Sequence, residues 1–346
     1  MSMIMSTVYT AHSIIVSQTK RLKAFAAYIV DKQLIILFLV LLFTPLQNGE
    51  CAFVYTDYSA RGLGMNGAIC TVTGVTADTA GVYYNPALTA ISGGNENTSR
   101  PRVSMSYESL YPGVMDSLWL GTLVYTHPVN RIVGTFGVNY LQFGSSLYSE
   151  QVAGLTYARE MLYFEPLKLG VTVKTLTKSY GQTGYTNRDP TFANAMTATG
   201  VSYDVGLTYA TPLSGLVAGA SARNVDRPNI KLVKRDIVPA EYRVGLGYQM
   251  ETVSTELVYY CTTSAGTDAA LLLGSEWWIL RNVFAFRAGC GYGVSEYKSV
   301  SFGLSYRFSI PGMKTFITLD YGYGYQFNGA MDNTVGNNLA TLNIQF

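Results

Sequence analysis

From Arg102 onward, apolar and polar residues alternate over short stretches. This period of two is the pattern of a β-strand with one apolar face. The clearest run is 314–326. Thr315, Ile317, Leu319, Tyr321, Tyr323 and Tyr325 take one face, and Phe316, Thr318, Asp320, Gly322, Gly324 and Gln326 the other. Residues 300–308 repeat it, with Val300, Phe302, Leu304, Tyr306 and Phe308 against Ser301, Gly303, Ser305 and Arg307. So do 242–250 and 167–178. About fourteen such segments begin near residues 103, 116, 131, 150, 165, 199, 214, 239, 252, 267, 282, 298, 313 and 336. An even number of amphipathic segments, each roughly ten residues long, predicts an all-β antiparallel transmembrane barrel of about 14 strands over 101–346. A soluble β-sandwich shows the same alternation, with its apolar face turned to a core.

Composition separates the two. Only 13% of residues are charged, against about 25% in soluble domains, while Tyr (27) and Gly (34) are abundant. A barrel face turned to lipid needs few charges and collects aromatics at the interfaces. The net charge of +2 is too small to argue for a nucleic-acid partner.

Residues 1–52 read as a secretory signal with a long basic leader. Lys20, Arg21, Lys23 and Lys32 precede the apolar run 34–43, and small residues follow near Cys51 and Ala52. The run is too short to span a bilayer as a helix. Lipidation at Cys51 and an uncleaved anchor are the alternatives. Export agrees with the barrel, and so does the last strand. There Ala340, Leu342, Ile344 and Phe346 alternate with polar residues, and the closing Phe346 has the form of a barrel-assembly signal.

A barrel this wide needs something to fill or line its interior. Residues 53–100 have no long alternating run and precede the first strand, so they are assigned as a hatch or plug. Gly62, Gly64 and Gly67 open it, and Tyr83, Tyr84, Asn85, Pro86 and Ala87 close it. Pro86 cannot donate to a sheet ladder and holds Asn85 extended. The glycines match the GxGxxG dinucleotide fingerprint, but no βαβ unit surrounds them and no acid follows about twenty residues on. Close backbone packing is the better use of them, and no cofactor is implied.

Lys168, Lys174, Arg243, Glu276, Arg287, Arg307 and Asp320, with Asp204, Arg223 and Glu256, fall on the polar, inward face. Their mixed sign fits pairing with one another and with the hatch better than an ion-selective lining. With two His and no CxxC spacing, neither a metal site nor a Ser-His-Asp set is credible. The chain reads as non-enzymatic. Cys261 and Cys290 are placed on lipid faces of non-neighbouring strands, and Tyr321, Tyr323, Tyr325, Trp277 and Trp278 mostly in an interfacial girdle. Stretches 179–198 and 225–239 are long enough to be external loops.

Two blocks carry a family resemblance. ARGLGMNGA with TADTAGVYYNPALTAI, and SARNVDRPNI with VPAEYRVGLGYQM, resemble the PorV/PorQ family of outer-membrane proteins, similar in fold to FadL-like transporters. Asn85-Pro86-Ala87 matches that family's NPA motif, while Cys70 and Thr76 depart from it. The resemblance implies a fourteen-stranded barrel with a hatch in the bacterial outer membrane. It also implies one of two functions. One is service to a type IX-like protein-secretion machine, with secretion components or cargo as partners besides outer-membrane lipid. The other is passive diffusion of hydrophobic small molecules, gated at Asn85-Pro86.

Overall fold

The structure, a computed structural model, describes residues 52–346 apart from 56, 75–77, 92–98, 114–116, 162–163, 185, 190–191, 193–195, 234, 264–268, 281, 295–297 and 328–334. The predicted signal segment therefore lies outside the described residues, save Ala52. No described helix is long and apolar enough to cross a membrane. The crossing is made by strands.

Fourteen of them form a closed antiparallel barrel: β1 (Arg102–Leu110), β2 (Leu118–Asn130), β3 (Gly134–Gly144), β4 (Tyr148–Met161), β5 (Phe164–Tyr180), β6 (Thr197–Ala210), β7 (Leu216–Arg223), β8 (Glu241–Gln249), β9 (Val253–Thr262), β10 (Ala269–Ile279), β11 (Phe284–Gly293), β12 (Lys298–Ser309), β13 (Phe316–Gln326) and β14 (Asn337–Gln345). Each pairs with its neighbours in sequence, and β14 closes on β1 from Arg102↔Gln345 to Ser109↔Asn338. The sequence expectation of fourteen strands is met, with every start close to the predicted one. Closure of β14 on β1 leaves no edge strand, which a hydrocarbon environment requires because it cannot hydrogen-bond to backbone.

The alternation resolves into an inner and an outer face. Val138, Leu155, Val173 and Tyr203 form one outward row across β3–β6, and all four are exposed. Their sequence neighbours Asn139, Thr156, Thr172 and Ser202 are buried inside. Apolar-out with polar-in excludes the sandwich, whose apolar face would be the buried one. Two placements differ from expectation. Trp277 is exposed, but Trp278, one residue on, points inward and is buried against Ala285, because successive strand residues take opposite faces. Cys261 has outward parity yet is covered, whereas Cys290 is exposed; both are free thiols.

The ends of the barrel are unlike. One carries the short connections 131–133, 162–163, 211–215, 250–252, 280–283 and 310–315, and the other includes the long ones 181–196 and 224–240. The stretch 225–239, expected as an external loop, exposes Val225, Asn229, Lys231 and Val233 but turns Ile230 and Val238 inward. Asn229 and Ile237 form a bridge, the Ile230 amide donates to the Asp236 carbonyl at 2.8 Å and Val238 to Pro228 at 2.9 Å. Ile230 and Val238 are fully buried with Leu141, Leu176 and Tyr83. The same segment covers the part of β6 that extends beyond β7. Val225 donates to the Tyr203 carbonyl (3.0 Å), and the Tyr203 amide donates to Asp226 (3.1 Å).

Leu155 is 66% exposed in the middle of β4, so Leu155→Arg puts a charge into hydrocarbon. It is expected to destabilise the barrel by about 2–4 kcal/mol, measured by reversible unfolding in lipid vesicles.

Candidate functional site

Before β1, residues 57–74 and 78–91 lie inside the barrel and are buried almost throughout. Among these described residues is a short helix, α1 (Ala60–Gly64), capped by Ser59, whose hydroxyl accepts from the Gly62 amide at 3.1 Å. Gly67 ends the turn at φ +71°, a conformation that costs glycine little. Two 3-10 turns follow, at Thr79–Tyr83 and Pro86–Thr89. Asn85 caps the second by accepting from the Ala87 amide (3.0 Å), and Pro86 sits at its first position, where a missing N–H leaves nothing unsatisfied.

What holds this hatch is a buried charge cluster. Arg61, on α1 and 2% exposed, meets Glu276 at 3.2 Å and Glu256 at 3.9 Å. Arg287 bridges Glu276 (2.7 Å) and Asp320 (3.0 Å). Glu256 also accepts from the Cys70 and Thr71 amides (2.8 and 2.7 Å) and the Thr71 hydroxyl (2.8 Å), which fixes the hatch backbone to β9. Asp320 accepts from Ser305 and from Asn343. Glu276, Arg287 and Asp320 thus come together around a hatch arginine.

The remaining predicted lumen charges lie elsewhere. Lys174 pairs with Asp204 at 2.7 Å. Arg243 lies over Tyr84 and Tyr260, 5.1 and 4.6 Å from their ring centres. Arg307 lies over Phe316 at 4.2 Å, and Lys168 is half-buried opposite Glu160 on β4. Arg223, bonded to Glu241 at 2.8 Å, stacks on Tyr58 of the hatch. Phe346, just beyond β14, is half-exposed and donates its amide to Pro101.

The aromatic pair has two jobs. Tyr83 stacks on Tyr58 with ring centres 5.0 Å apart and donates to the Tyr140 carbonyl (2.8 Å). The Tyr84 hydroxyl accepts from the Tyr58 amide (2.9 Å) and fills the space over Gly62. Asn85 donates from Nδ2 to the Cys70 carbonyl (2.7 Å) and to the Leu207 carbonyl of β6 (3.0 Å). Burial pushes the Cys70 thiol up from its ordinary range, so Cys70 is a packing group rather than a nucleophile. Burial likewise raises the Asp78 carboxyl, against the opposing charge of Arg61.

Sequence reasoning missed the wall glycines. Each of β5–β8 and β10–β13 carries an inward glycine that faces the hatch. A β-carbon at Gly274 would stand 2.5 Å from the Met65 carbonyl oxygen, at Gly289 2.5 Å from the Met65 carbonyl carbon, at Gly219 2.7 Å from Cys70 and at Gly322 2.7 Å from Ala60. Gly170 faces Pro86-Ala87, Gly206 faces the Asn85 side chain, and Gly64 on α1 lies against Gly303 of β12. Glycine recurring at inward parity was the available signal. It marks a docking track, and Gly62 and Gly64 serve the same packing with no nucleotide fold around them. Beside Asn85, β5 and β6 are paired without a break from Leu167↔Tyr209 to Ser179↔Thr197, whereas the β6–β7 ladder ends at Val205↔Ala222. The register irregularities, at Pro128/Asn130 and Glu160/Met161, lie at the short-turn end.

With this geometry in place, comparison with known proteins is decisive at one level. The family model described as type IX secretion system membrane protein PorP/SprF matches residues 79–341. The chain belongs to the PorP/SprF family. The resemblance drawn from the sequence is met as a type IX secretion membrane protein, with PorP/SprF rather than PorV/PorQ as the family shown. No curated protein sequence matches. Among solved structures, a toluene transporter TodX from Pseudomonas putida aligns with TM-score 0.55 at 13% identity over 86% of this chain and 98% of its own. The toluene transporter TbuX of Ralstonia pickettii and a FadL homologue of Pseudomonas aeruginosa each give 0.54 at 13%, over 85% and 98%. At such identity these structures show the fold alone, and this chain shares their FadL-like, outer-membrane-type barrel.

Two outcomes test the site. Arg61→Met leaves Glu256 buried without its cation and Glu276 with one fewer, and is expected to cost about 3–5 kcal/mol and expose the hatch to limited proteolysis. Gly206→Ala, which collides with Asn85, is expected to dislodge the Asn85-Pro86 turn. Gly137→Ala, whose new methyl meets only ordinary contacts, should leave melting unchanged.

Proposed function

We propose that this protein is a non-enzymatic outer-membrane scaffold of a type IX-like secretion system, acting in export or attachment of surface proteins through partners at its loop end. The carrying observation is how the lumen is filled. The hatch is bonded to β9, β10 and β14 through Arg61–Glu276, the amides on Glu256 and the Ala60 amide on Thr341 (2.8 Å). Ile230 and Val238 pack in the same buried cluster as the hatch tyrosines Tyr58, Tyr83 and Tyr84. A lumen packed this way suits a barrel that presents a surface better than one that conducts. Family membership supports the secretion setting, and the asymmetry of short and long connections orients the loops outward. Outer-membrane lipid covers the exposed apolar rows. The second reading, a channel for hydrophobic small molecules gated at Asn85-Pro86, has the fold of the toluene transporters in its favour. The unbroken β5–β6 pairing beside Asn85 weighs against it.

Native mass spectrometry after gentle extraction from the native membrane tests the choice. A stoichiometric polypeptide partner with no small ligand is the expected result, together with loss of surface proteins on gene deletion. An apolar small molecule that disappears in Asn85→Ala/Pro86→Ala would establish the channel reading instead.

A further inference from the structure

A cavity of about 370 Å³ lies inside the loop end of the barrel, between the first residues of the hatch and strands β1–β4. Phe53, Tyr55, Phe143 and Tyr148 wall it, and Glu108 and Glu150 enter it. Tyr55 and Phe143 have ring centres 6.0 Å apart, and Phe143 and Tyr148 6.3 Å, so the rings form a continuous screen. Glu150 is held in place by the Phe53 amide (3.0 Å), the Tyr55 hydroxyl and the Tyr148 hydroxyl (2.6 Å). Its cross-strand neighbour Lys178 turns away to Asp236. Glu108 is 1% exposed, and its Oε1 meets no donor among the described residues. The Asn337 amide is the neutral group beside it. Neither carboxylate has a cationic partner in ion-pair range among those residues.

Elsewhere in the lumen, Glu241, Glu256, Glu276, Asp204 and Asp320 each meet Lys or Arg. A buried carboxylate without a counter-charge is costly, and here it borders a cavity lined by aromatic rings. Two of the lining residues, Phe53 (φ +62°) and Tyr111 (φ +48°), hold left-handed backbone. For bulky side chains that conformation is strained, and such strain concentrates at ligand sites.

We propose that this cavity binds an organic cation, an ammonium or guanidinium group carried on an apolar stem. The charge meets Glu108, whose Oε1 is free of donors among the described residues, and the stem packs on Phe53, Tyr55 and Phe143. Aromatic faces attract cations within about 6 Å of the ring centre, and a carboxylate adds a charge-assisted hydrogen bond. Such a group comes from a free amine or from a Lys or Arg side chain of a peptide entering at the loop end, where Leu110, Tyr111 and Tyr148 are half-buried. The site stands independently of the secretion reading.

The test is calorimetric titration of the full chain in lipid nanodiscs with benzylammonium, its neutral isostere benzyl alcohol, and a short peptide carrying one Lys or norleucine in its place. Benzylammonium is expected to bind at least about tenfold tighter than benzyl alcohol, and Glu108→Gln to reduce that affinity by about tenfold. Tighter binding of the Lys peptide than of benzylammonium, lost with norleucine, assigns the source to polypeptide; the reverse order assigns it to a free amine. Equal binding of cation and alcohol, an unchanged Glu108→Gln, or no binding of either cation overturns the proposal. Should Glu108→Gln fail to fold, the cation-against-alcohol comparison on the unaltered chain decides.

Discussion

A guanidinium taken out of water must find carboxylates, and in this barrel that requirement sets the position of everything inside the wall. Arg61 is nearly inaccessible and rides on a five-residue helix too short to persist alone. Its position comes from Glu276 and Glu256 on neighbouring strands. Glu276 in turn is shared with Arg287, and Arg287 with Asp320, so the cluster runs from β9 to β13. Such pairs add little net stability relative to apolar packing, but breaking one partner is expensive. Their contribution is to fix which strand each part of the hatch meets.

Packing then follows from the backbone. Charges draw the hatch to the wall, and glycines at inward parity let main chain approach main chain. Larger inward side chains, Leu120, Leu141 and Leu176, join the hatch tyrosines in one buried cluster. The inner face of the wall is a cast of the segment before β1. This differs from an aqueous channel, in which inward positions are polar because they meet water.

The strands were legible because a lipid-facing barrel repeats one simple rule, and residues such as Leu155 and Thr156 obey it one after the other. Lumen charges were legible by the same parity. What sequence could not show was which charges meet. Glu276 and Asp320 are far apart in the chain and come together only through Arg287, while Lys168 and Arg307, identical in pattern, lie away from the cluster. The inward anchoring of the 225–239 stretch escaped because its length and charge read as an external loop. Its buried anchors, Ile230 and Val238, sit beside Leu232 and Ile237 without a period of two. Trp278 was misplaced by grouping it with Trp277, although alternation alone separates them.

The bond between the Ala60 amide and the Thr341 hydroxyl joins residues 281 positions apart. The hatch thus touches β14 as well as β5 and β6, so its contacts with the last strand form only after every other strand has been delivered. Contacts this distant in sequence slow folding, because a long loop must close before anything is gained. The barrel seam between β1 and β14 lies beside the same residues, since Thr341 pairs with Ser106 in that seam. Sealing the cylinder and seating its contents thus draw on the same residues, Ser106 and Thr341, at one seam.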